Sequence, residues 1–99
     1  MSGDFDANAA FRRLRELNGK LIAAKVNDHE RAHALINAAI NEGFDRGTRI
    51  TGALARLDFD KRHVGIVLQE GLRAEPEWPN WGRTAEGVYF APSRALPQI

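Results

Sequence analysis

Residues 50–68 constrain the fold more than any other stretch of this chain. Ile50, Ala53, Leu54 and Leu57 fall at i, i+3, i+4 and i+7, the spacing of one apolar helix face. Val64, Val67 and Leu68 repeat that spacing beyond Asp58, Phe59 and Asp60. Three residues suffice for a sharp turn between packed helices and for little else. Asp60 is placed to cap the second helix, and Phe59 with Val64 takes the N′ and N4 positions of a hydrophobic staple. The chain therefore has to bring two short helices together at Phe59.

The flanking segments supply partners for that pair. A first helix is expected from Asp6, with Phe5 as its staple and Phe11, Leu14, Leu17, Leu21 and Ile22 as its apolar stripe. Asn18-Gly19 interrupts the stripe and predicts a weakened helix, or two shorter ones. A second helix follows Asn27, whose spacing to Glu30 is that of a capping box. Ala32, Leu35, Ile36, Ala39 and Ile40 form its inner face, Gly43 its left-handed cap, and Phe44 folds back onto it. The third helix is expected over 48–57 with Thr48 as cap, and the fourth over 61–70, ending near Gly71. Beyond Gly71, Pro76, Trp78, Pro79 and Trp81 break the helical period. Residues 81–84 and 88–90 around Ala85-Glu86-Gly87 read as a β-hairpin, with Gly87 supplying a positive φ. Pro92 and Pro97 mark an irregular tail.

Composition narrows the function classes. Ninety-nine residues, 43% apolar and 27% charged, make one modest core. No run of about 18 apolar residues is present, so no membrane span is expected. The acidic start, residues 1–6, is not expected to be a secretory signal. Without cysteine there is no disulfide, thiolate nucleophile or cysteine zinc site. A cytoplasmic protein fits these features. Net charge is +1, from 14 basic and 13 acidic residues. The distribution says more than the sum: Arg46, Arg49, Arg56, Lys61 and Arg62 crowd one stretch, and its acids, Asp58 and Asp60, have turn and cap roles.

Each candidate catalytic constellation also has a structural role open to it. His29-Glu30-Arg31-Ala32-His33 matches H-E-x-x-H, which places two histidines one helical turn apart. It opens a helix instead of lying mid-helix, Glu30 is already used in capping, and Ile36 and Ala39 stand where one zinc-peptidase family needs Gly and a third His. Glu42 is the nearest downstream acid. No Cys–His pair or phosphate loop exists, and Glu75/Glu77 sit in a turn region. The reading is therefore of a non-enzyme with no cofactor and no metal site. Trp78, Trp81 and Tyr89 either stack on bases or close the open side of a small core, and the second reading is favoured.

The order helix, helix, short turn, helix, hairpin over residues 31–91 resembles the winged helix-turn-helix superfamily. Ala53, Leu57, Phe59, Val64 and Val67 match the positions that lock the two helices of that motif. The fold class expected is mainly α with a small β-hairpin: a three-helix core preceded by an amphipathic extension over 1–30 and followed by a tail over 92–99. The resemblance implies a recognition helix over 61–70, outward positions Lys61, Arg62, Gly65, Ile66 and Gln69, and a wing over 81–90. The DNA-binding residues it implies are Arg49, Lys61, Arg62, His63, Gln69, Arg73 and Arg83, with Arg73 and Arg83 on the wing. Many such motifs carry Gly in the turn where this chain has Asp58. Gly52 and Gly65 each cost about 1 kcal/mol relative to Ala inside a helix.

Two functions stay open on this reading. One is a double-stranded DNA binder, a transcriptional regulator or mobile-element accessory factor, with Phe11, Leu14, Leu17 and Leu21 available for homodimerisation. The other is a protein-interaction module, an adaptor or small inhibitor, for which near-neutral charge and Ile66 argue.

Overall fold

The computed structural model describes residues 6–92; the Phe5 staple and the tail from residue 93 lie outside them. Four helices precede a two-stranded antiparallel hairpin: α1 (Ala7–Ala23), α2 (Asp28–Glu42), α3 (Gly47–Ala55), α4 (Lys61–Glu70), β1 (Gly82–Arg83) and β2 (Tyr89–Phe90). The chain is thus mainly helical with a small hairpin.

The Asp6 carboxylate caps α1 by accepting from Ala9 N at 3.1 Å. The expected break at Asn18-Gly19 does not occur, and α1 runs as one helix. Asn18 turns inward, and its Oδ1 accepts from Arg31 Nη1 at 2.9 Å. Gly19 opposes the helix only through its propensity, about 1 kcal/mol, against the buried Phe11 and Leu14. Arg31 also donates from Nη2 to Asp28 (2.7 Å), and its guanidinium lies 4.7 Å above the Phe59 ring. One half-buried side chain therefore joins α1, α2 and the turn.

The Asn27 side chain caps α2 by accepting from Glu30 N at 2.8 Å, and Gly43 closes it at φ 113°. Phe44 is buried beyond that cap, as its spacing predicts. The expected division at residue 31 falls inside α2, and Ala10, Phe11 and Leu14 of α1 share one core with the other helices.

α3 starts at Gly47, and Thr48 lies in its first turn and is not the cap. Backbone pairing moves the start: Arg46 bridges Val88, and Tyr89 N donates to Asp45 O at 2.7 Å. The Arg46 guanidinium donates to Glu86 O (3.1 Å), tying the hairpin turn to the start of α3. α3 ends at Ala55, short of the expected Leu57, because the chain reverses at Asp58 with φ 72°. That is the left-handed conformation that favours Gly and that Asp tolerates.

Asp60 caps α4 through Arg62 N (3.3 Å), and Phe59 and Val64 are both buried as the staple requires. Gly71 ends α4 at φ −86°, so no left-handed residue is needed there. The demand is steric: a Cβ on Gly71 would overlap the Trp81 indole. Trp81 is fully buried and donates from Nε1 to Leu68 O at 2.9 Å. Gly82 pairs with Phe90 and Arg83 with Tyr89, and Gly87 takes φ 87° in the turn. Tyr89 and Trp81 close the core, whereas Trp78 is half exposed.

Candidate nucleic-acid interface

α4 has two opposite rows. Val64, Val67 and Leu68 point into the core. Arg62, Gly65, Ile66 and Gln69 fall at i, i+3, i+4 and i+7 and are all exposed, with Ile66 at 50%. Lys61 extends this row at the N-terminal end. The side chains of Lys61, Arg62 and Gln69 make no hydrogen bond or ion pair with the other described residues. The two cations are thus available to an anionic partner. The only acid on α4, Glu70, is paired with His29 Nε2 at 3.0 Å.

Lys61 also borders a shallow cleft of about 320 Å³ with Gly47, Thr48, Thr51 and Gly52 of α3. The first turn of α3 has no side-chain cap, since Arg46 at the cap position carries only donors and its guanidinium goes to the hairpin. Gly47 sits near Leu68 and Tyr89, so the start of α3, the inner face of α4 and the hairpin meet at one place.

The remaining expected site residues divide. His63 does not join the outward row: it is half buried and turns to α2, with Nε2 3.4 Å from His29 Nδ1. His29 Nε2 in turn reaches Glu70, so the His63 ring is engaged by neighbouring side chains of the same chain. Arg49 is exposed but borders a separate groove with Phe11, Phe44 and Arg56, on the α1 side of α3. Arg73 lies outside the hairpin; its guanidinium folds onto the carbonyls of Glu70 (2.6 Å) and Leu72 (3.0 Å), where a cation suits the end of α4. Arg83 is exposed on β1, its guanidinium 5.8 Å from the Tyr89 ring centroid.

The H-E-x-x-H residues His29, Glu30 and His33 border one groove but take different partners. His29 engages Glu70 and His63, while the His33 ring packs 4.6 Å from that of Trp81. Glu42 forms a two-oxygen ion pair with Arg13, at 2.6 to 2.9 Å, whose hydrogen bonds hold the Arg13 pKa above its ordinary value. Among the described residues no three His, Cys, Asp or Glu side chains are grouped to hold a metal ion. No helix among them is long and apolar enough to cross a membrane.

A second concave region, about 660 Å³, lies between α1, α2 and residues 78–80, and Leu17, Leu21, His33 and Trp78 line it. Asn37, 5% exposed, sets its floor by donating to Pro79 O (3.1 Å) and Asn80 O (3.3 Å). The tertiary partners of Asn18, Arg31, Asn37 and Arg46 were not expected from the amino-acid order. The available signal was a polar side chain on an otherwise apolar helix stripe, as with Asn18 between Leu14 and Leu21.

In comparisons with known proteins, no family model, no curated protein and no solved structure matches this chain.

Proposed function

We propose that this chain is a DNA-binding domain of the winged helix-turn-helix class. Within that class it acts as a small duplex-binding protein, a transcriptional regulator or mobile-element accessory factor, that lays α4 in the major groove. The observation that carries the reading is the outward row of α4. It combines unpaired Lys61 and Arg62 with Gln69, on a helix held from behind by Val64, Val67 and Leu68. Cations supply salt-dependent attraction to phosphates, while Arg and Gln have the donor geometry for base edges. The hairpin follows α4 and is tied to α3 by Arg46, which suits Arg83 to a backbone contact.

Titration of a labelled random duplex by fluorescence anisotropy tests this. Affinity is expected to fall by about two orders of magnitude between ~50 and ~200 mM salt if four phosphates are neutralised. Lys61→Ala with Arg62→Ala is expected to weaken binding and flatten the salt slope, with stability within about 0.5 kcal/mol of the parent. Arg83→Ala is expected to weaken it further. Unchanged affinity in the double variant removes α4 as the contact.

A protein-interaction module is the second reading. The groove lined by Leu17, Leu21 and Trp78, beside the exposed Ile22, favours it. Salt-insensitive capture of a protein partner, without duplex binding, is its signature.

A further inference from the structure

We infer that Gly65 and Ile66 form the base-reading centre of α4 and that they select a thymine through its 5-methyl group; this rests on the DNA-binding reading above. Gly65 has no internal reason to be glycine. It lies within α4, and a Cβ built on it meets nothing within 4 Å. Neither left-handed backbone nor packing requires it, yet glycine weakens a helix interior relative to alanine. What a bare backbone offers is close approach by something outside the chain.

Its neighbours say what approaches. Gly65 sits between Arg62 and Gln69 on the outward row, beside Ile66, which is half exposed. An isoleucine in the middle of a polar, cationic row gains nothing from phosphates but gains from burial against an apolar group. The major-groove edge of a base pair offers one such group, the methyl of thymine. With no Cβ at 65, the helix axis can move toward the base edges until the Ile66 side chain reaches that methyl. Gly82, by contrast, is fully explained within the fold, because a Cβ there would run into the Phe90 ring.

The test uses a site selected from a random duplex pool by the full chain. Each thymine is then replaced in turn by deoxyuridine, which keeps base pairing and removes only the methyl. The parent chain is expected to lose about 4-fold in affinity at one or more positions, the worth of one buried methyl group. Ile66→Ala is expected not to distinguish thymine from deoxyuridine there. Gly65→Ala is expected to raise Tm by about 4 to 8 °C and still weaken specific binding. Gly19→Ala is the matched control: Gly19 is equally open but lies on α1, so it is expected to stabilise without changing affinity. If Gly65→Ala binds as well as the parent and no thymine replacement matters, the inference is overturned while duplex binding stands. If the parent binds no duplex at ~50 mM salt, the DNA reading falls too, and the Gly65–Ile66 patch belongs to a protein contact.

Discussion

Single side chains carry geometry here that composition hides. Asp58 holds the turn at φ 72°, a conformation that costs an ordinary L-residue about 1–2 kcal/mol. Asp58→Val is therefore expected to lose stability of that order, and Asp58→Gly to hold or gain it, in denaturant melts of the two variants. An equal loss in both would mean that the Asp58 side chain, and not its backbone, matters. Arg31 is the second such residue. Removing it leaves the buried Asn18 Oδ1 without its donor and uncovers the Phe59 ring. Arg31→Ala is expected to cost about 1–3 kcal/mol, with Arg31→Lys restoring only part, since a single ammonium cannot serve Asn18 and Asp28 in the same fork.

At the scale of elements, the hairpin and α4 are positioned by one indole. Trp81 packs on Gly71, donates to Leu68 O and stacks beside His33, so the segment after α4 is anchored to the helix it follows. Gly71→Ala is expected to displace that ring. The measurement is near-ultraviolet circular dichroism in a Trp78→Phe background, where Trp81 is the one indole left; its signal is expected to change while the helical far-ultraviolet signal is kept. If the indole signal survives, the steric account of Gly71 is wrong. Packing of α3 on α4 predicts a different pattern. Val67→Ala and Leu57→Ala delete buried methyl groups and are expected to cost about 1–4 kcal/mol without a selective effect on the hairpin.

Across the whole molecule, α1 is part of the core and not an appendage. Phe11 is 4% exposed, and Arg15 and Arg56 lie over its ring at 5.1 and 4.0 Å. Phe11→Ala is expected to cost about 3–5 kcal/mol, and a chain starting at Asn27 to lose its cooperative thermal transition. A cooperative melt in that shortened chain would show that residues 27–92 fold alone. The same placement limits assembly. Phe11 and Leu14 are occupied inside the fold, so a two-fold pairing of chains through α1 is left with Leu17, Leu21 and the exposed Ile22.

Local chemistry was legible in the amino-acid order. The Asn27 and Asp60 caps, the Gly43 stop, the Phe59–Val64 staple and the Gly87 turn all depend on a few adjacent residues, and each stands where its spacing places it. The outward row of α4 was legible for the same reason, because helical periodicity alone assigns Arg62, Gly65, Ile66 and Gln69 to one face. What tertiary structure decided was every choice that needs a distant partner. Asn18 stays helical because Arg31 meets it, Arg46 replaces Thr48 at the start of α3 because the hairpin pairs there, and His63 leaves the outward face because His29 stands opposite. Hydrogen bonds between residues far apart in the chain carry no period, so no spacing rule in the sequence can announce them.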